Sequence, residues 1–178
     1  MFEKGEWIVY GNTGVCRVED IGIPHDIPVK DSEKSYYKLN PAYEAGEIYI
    51  PVDTKVFMRP VLTKEEAGQL LSNMSVSSEK MNPEALEEEY RQCLSDHECR
   101  EWMHLLTSIR HKEWEMSKQG KKIGKLYLRY EKRAQELLYG ELSIALDIPY
   151  EEMEEYMKQR FTELFATQTK ETQKSSIG

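Results

Sequence analysis

Polar and apolar positions alternate with a period of two from Trp7 to Tyr10 and from Gly14 to Ile21, which predicts two half-buried strands. Ile8, Tyr10, Cys16 and Val18 fall on one side, with Trp7, Val9, Val15, Arg17 and Glu19 on the other. Between the strands, Asn12-Thr13-Gly14 supplies residues that tolerate positive φ at a tight turn. Gly22–Val29 carries Pro24 and Pro28 and suits a loop or an edge. Lys34–Leu39 and Glu47–Pro51 read as two further strands, joined through Asn40-Pro41 and Gly46, and Val56–Arg59 adds a fifth. Short strands at this density predict a small, strongly bent barrel of the SH3 or Tudor kind. Such a barrel has no room for an elaborate active site; its usual product is an exposed edge or groove.

Beyond residue 62 the period changes. Thr63-Lys-Glu-Glu66 reads as a capping box opening a short helix through Leu70-Leu71. Ser72–Ser78 is small and polar, a linker. Pro83 is placed to begin a helix to about Leu94, with Leu86, Tyr90 and Leu94 at i, i+4 spacing. A second helix spans about His97–Gln119, with Trp102, Leu105, Leu106, Ile109 and Trp114 near its apolar side, and both tryptophans are read as core. Gly120–Gly124 breaks the pattern, a third helix covers Lys125–Ala145, and Ile148-Pro149 ends it. The last helix is Tyr150–Phe165, with Met153, Met157, Phe161 and Leu164 as its stripe. The predicted fold is therefore α+β: a small SH3/Tudor-like β-barrel over residues 1–62, a short helix and linker over 63–78, an all-α bundle over 79–166 and a flexible polar tail over 167–178.

Composition narrows the function. Lys and Arg number 24 against 32 Asp and Glu, a net charge of −8, which argues against a grip on nucleic acid by charge alone. No apolar run approaches the roughly 20 residues a bilayer requires. Glu3 and Glu6 near the start, with no long apolar stretch, lead to an expectation of cytoplasmic location. Cys16, Cys93 and Cys99 then read as reduced thiols. Cys93, His97, Cys99 and His104 lie close together, but their spacing fits no usual pair of metal-ligand knuckles, so no metal is expected. Nor is an enzyme or a cofactor expected. Gly11-Asn-Thr-Gly14 lacks the Gly-Lys-Ser/Thr ending that cradles phosphates, and no Ser/His/Asp or Cys/His set stands out.

The charge is blocky. Residues 79–101 hold three basic and eight acidic side chains, a balance of −5. Residues 110–133 hold nine basic and three acidic ones, or +6, and residues 134–165 hold two and eight, or −6. Positive charge thus gathers at one helix–turn–helix corner, where Lys118, Lys121, Lys122, Lys125 and Arg129 are candidates for phosphate contact and a helix start adds its amides. The competing reading is a solvated face paired with the acidic blocks.

Two stretches carry a resemblance to a known family. Lys4-Gly5-Glu6, Val9-Tyr10, Gly14-Val15 and Val18-Glu19-Asp20-Ile21 resemble the RNA-polymerase-interacting domain of the CarD/CdnL transcription regulators, shared with the transcription-repair coupling factor. Tyr130–Leu146, with Gly140-Glu141-Leu142, is similar to the signature helix of that family's helical domain. The resemblance implies a bacterial, non-catalytic regulator whose barrel extends a β-strand edge of the RNA polymerase β subunit, and which is nucleoid-associated through polymerase. It also implies a helical domain touching promoter DNA at the upstream edge of the transcription bubble, influencing open-complex formation. Carried onto this chain, the docking strand is Glu47–Pro51 with Ile48, Tyr49 and Ile50, and Ile27 and Val29 lie nearby; Tyr49 stands where relatives often have Arg. Whether Tyr49 serves the partner or covers the barrel stays open. Leu86 occupies the place of a DNA-wedging Trp, and Glu88-Glu89 replace a basic pair. An apolar Leu can wedge a base step, but neighbouring carboxylates oppose a phosphate backbone. The alternative is an adaptor: the barrel docks on polymerase while the acidic bundle recruits another protein and never meets DNA. Neither reading involves a membrane or a small-molecule substrate.

Overall fold

The computed structural model of the chain describes residues 1–25, 27–31, 33–76 and 85–175, with side chains described through Glu171. The α+β class holds, with five strands followed by five helices. Contacts divide the chain after Leu62 into two compact units.

The first unit is an antiparallel sheet of β1 (Trp7–Tyr10), β2 (Gly14–Gly22), β3 (Tyr36–Pro41), β4 (Ile48–Pro51) and β5 (Met58–Pro60), in the order β4-β3-β2-β1-β5. Ile8, Cys16 and Val18, which alternation sets on one side, are buried together with Tyr37, Leu39 and Ile50. Phe2 closes this core from the N-terminal side, and its N–H donates to the Tyr37 hydroxyl at 3.0 Å. Gly5 sits at φ +92° and donates its N–H to the Val18 carbonyl at 2.7 Å, which accounts physically for a glycine ahead of the first strand.

Two local features differ from expectation. The β1–β2 turn takes positive φ at Gly14 (+91°), one of the three residues expected to allow it, but its second such position is Gly11 (+43°) rather than Asn12 or Thr13. A bulge also interrupts the β2–β3 pairing between Val18 and Asp20, so that Asp20 pairs with Lys38 and Gly22 with Tyr36. One extra residue resets the alternation: Ile21 joins Val18 on the core side, while Asp20 and Gly22 turn to the opposite face.

The second unit holds α1 (Lys64–Ser72), α2 (Leu86–Ser95), α3 (Cys99–Lys118), α4 (Lys125–Leu146) and α5 (Tyr150–Ser175). The capping box of α1 is present: Glu66 N–H donates to Thr63 Oγ1 at 3.2 Å, and Thr63 N–H donates to the Glu66 carboxylate at 2.8 Å. Helix α4 is central, packing against α1, α2, α3 and α5, with Tyr130, Ala134, Leu138, Tyr139 and Leu142 buried. Its C-cap, Asp147, is left-handed (φ 56°), and Pro149 follows two residues later. Inside the bundle, Arg110 of α3 holds Glu131 of α4 at 2.6 Å and Glu154 of α5 at 3.0 Å. The linker residues Ser77 and Ser78 and the proposed helix start at Pro83 lie outside the described residues. Helix α5 continues to Ser175 rather than stopping at Phe165, because the polar run after Phe165 contains neither Pro nor Gly before Gly178.

Candidate functional site

Strand β4 is an edge. Among the described residues it pairs with β3 alone, in the register Tyr37↔Ile50, Lys38↔Tyr49 and Leu39↔Ile48. Val52 N–H donates to the Ser35 carbonyl at 3.0 Å, and hydrogen-bonded positions recur every second residue from there. Ile50 and Ile48 therefore bond toward β3, while the N–H and C=O of Tyr49 point to the open rim. Pro51 closes the strand with an acceptor and no donor, which limits indiscriminate pairing.

Side chains follow the same alternation. Ile50 is buried in the core and Ile48 packs against it, so these two meet a partner only through their backbone. Tyr49 stands on the opposite face, where its hydroxyl donates to Glu47 at 3.2 Å. Lys38 bonds Glu47 at 2.7 Å and lies 5.7 Å from the Tyr49 ring centre. The Glu47 carboxylate holds the Lys38 ammonium above its ordinary pKa and is itself held below the usual carboxylate range by Lys38. Asp20 is likewise lowered, first by the backbone N–H of Ile21 and then by Lys4 at 3.3 Å. Ile27 comes to the same place, lining a small cavity beside Tyr49. Val29 is half-buried and does not line it.

The opposite edge, β5, is only three residues long. Its outward-facing backbone is that of Met58 and Pro60, since Gly11 N–H bonds Phe57 and Val61 N–H bonds Trp7. Proline again removes a donor, and α1 begins at Lys64.

The basic corner of the helical unit is built by two helix ends. Helix α3 ends at Lys118 with Gln119 as its cap; Gly120 beyond it is left-handed (φ +69°), and Lys121 N–H donates to the Met116 carbonyl at 3.0 Å. Ile123 is buried and anchors the loop, leaving Lys121, Lys122 and Lys125 exposed around it. Gly124 caps α4 without a side-chain bond, and no acidic residue occupies the first turn, so the leading amides face outward with the lysines. Lys118 lies 3.2 Å from the centre of the Trp114 ring. None of these four lysines has an ion-pair partner among the described residues. The rest of the basic block is largely engaged: Arg110 as above, Arg129 with Glu87 at 2.6 Å, and Arg133 with Glu136 at 3.0 Å.

Leu86, read from sequence as a stand-in wedge, is buried at the start of α2 and contributes to the bundle's interior. Trp102 is fully buried, as expected, and its Nε1 donates to the Leu94 carbonyl at 3.4 Å. Trp114 differs: near the end of α3 it is half-buried, covered by His111 and Phe165 on the inside and by Lys118 outside. Cys99 donates its thiol hydrogen to the fully buried carboxylate of Glu141 at 2.8 Å.

A small antiparallel domain with an edge strand open along its rim is a geometry that a partner's strand can extend. Residues 2–62 match the CarD-like/TRCF RID domain model, RID denoting an RNA-polymerase-interacting domain. The N-terminal third of the chain thus matches a domain of the CarD-like family, and that match suggests a transcription-related protein that interacts with RNA polymerase. No curated protein matches the chain.

Proposed function

We propose that this chain is a non-catalytic regulator that docks on the β subunit of RNA polymerase by adding a polymerase strand to the β4 rim. The observation that carries the reading is the outward-facing backbone of Tyr49 on an edge strand of a polymerase-interacting domain. The helical unit then acts on promoter DNA through Lys118, Lys121, Lys122 and Lys125, influencing open-complex formation. An overall charge of −8 is compatible with this, because polymerase supplies most of the affinity and tethering raises the local concentration of the basic corner. The test is Tyr49→Pro against Tyr49→Phe. Proline deletes the rim N–H without touching a β3–β4 bond. Binding of the whole chain to RNA polymerase should weaken roughly tenfold or more for Tyr49→Pro and stay near wild type for Tyr49→Phe. Equal binding by both removes the strand-addition mode.

A second reading is favoured by one observation: Glu87, Glu88 and Glu89 fill the first turn of α2, and Glu87 neutralises Arg129. An acidic bundle of this kind suits an adaptor that recruits another protein and leaves DNA alone. Footprinting a promoter complex separates the two, since only the regulator alters protection upstream of the bubble.

A further inference from the structure

The face of the sheet away from the core carries a cavity of about 200 Å³ next to the β4 rim. Its floor is Gly22 and Tyr36; Ile23, Pro24 and Ile27 form one wall, and Tyr49 forms the wall toward the open edge. The β2 bulge creates this floor, because it turns Gly22 outward and lays it beside Tyr36. A Cβ placed on Gly22 would meet nothing within 4 Å, so the floor is bare. The volume falls below the roughly 300–1,000 Å³ of small-molecule sites. It is on the scale of one side chain.

Chemistry narrows the occupant. The charges at the rim are already matched: Lys38 to Glu47 at 2.7 Å and Asp20 to Lys4 at 3.3 Å. His25 adds one polar group to the lining; the rest of the wall is Ile23, Pro24, Ile27 and the rings of Tyr36 and Tyr49, with Ile23 among the few large hydrophobic residues open to solvent (44%). A strand added to β4 would place the residue opposite Tyr49, and those two positions away, on this same face.

The geometry points to a specificity pocket that takes one aliphatic or aromatic side chain from the strand that RNA polymerase lays along β4. The assignment rests on the docking mode proposed above and adds to it the element that selects the partner sequence. Backbone pairing supplies affinity for any extended strand; the cavity discriminates between strands by an alternate side chain.

Gly22→Leu tests it in the whole chain. Gly22 is a strand residue with ordinary φ and open space above it, so leucine fills the cavity without straining the backbone. Polymerase binding should fall roughly tenfold or more, the scale of losing one buried apolar side chain, with thermal unfolding and circular dichroism at least as good as wild type. Ile23→Asp, an exposed loop change that spoils the apolar wall, should weaken binding in parallel and serves if Gly22→Leu fails to fold. If Tyr49→Pro weakens binding while Gly22→Leu and Ile23→Asp bind like wild type, the pocket assignment is overturned and the docking edge stands. If Tyr49→Pro binds as well as Tyr49→Phe, the docking edge falls and the pocket assignment with it.

Discussion

At the scale of single residues, burial dictates the chemistry of the thiols. Cys16 is fully buried, and loss of hydration, reinforced by Glu44, pushes its thiol up to about 12. Burial likewise pushes Cys93 up to about 11, with Glu101 and Asp96 adding to it. Both therefore stay protonated through the neutral range and lack the thiolate needed for attack or oxidation. Native protein should react slowly with a thiol-directed dye at pH 8, and all three cysteines should react promptly in denaturant. The same shift links to stability. The fold holds the Cys16 proton after the unfolded chain has released it, so stability is complete below the thiol's ordinary value of about 8.5 and declines from there toward pH 12. Denaturation midpoints measured from pH 7 to 10 should fall, and Cys16→Val should flatten that slope. Leu86 makes a different point. Its i, i+4 relation to Tyr90 already placed it on the apolar stripe of α2, and that stripe, rather than the resemblance, describes where it sits.

Elements were legible where a short period governs them. Strands β1 to β5 follow alternation, and α1 follows a capping box whose reciprocal bonds are in place. Thr63→Ala removes the hydroxyl that receives Glu66 N–H and should cost about 1 kcal/mol, read as a shift in the denaturation midpoint together with faster amide exchange in the first turn of α1. What escaped the pattern is the bulge. Its trace in sequence is the pair of adjacent polar residues, Glu19-Asp20, between Val18 and Ile21, which breaks alternation where the extra residue enters. The cavity could not be read at all, because its walls come from a loop and three strands whose register depends on that bulge. The end of α5 escapes for a simpler reason: the polar composition after Phe165 resembles a frayed tail, whereas Pro, Gly or a cap is what stops a helix.

At the scale of the whole molecule, the puzzle is how a chain of net charge −8 could serve DNA. Ion pairing sorts its cations into two groups. Arg110 ties α3 to Glu131 of α4 and Glu154 of α5, Arg129 ties α4 to Glu87 of α2, and Arg133 is occupied by Glu136 within α4. Lys118, Lys121, Lys122 and Lys125 are left at one corner beside an uncapped helix start. The acidic blocks thus tie down the arginines without reaching the lysines, and a strongly acidic protein retains one local positive surface. Four such lysines would give only weak binding alone, with a salt slope of a few units at most. Delivered by polymerase, they would need no more. Replacing Lys121, Lys122 and Lys125 together by Glu should therefore shorten promoter-complex lifetime severalfold and reduce its salt dependence, while binding to polymerase stays at wild-type strength. Those exposed side chains have no ion-pair partner among the described residues, so the variant should unfold at the same denaturant concentration as wild type. A variant that folds, binds polymerase and leaves the lifetime unchanged would assign the basic corner to solvent and the helical unit to the adaptor role.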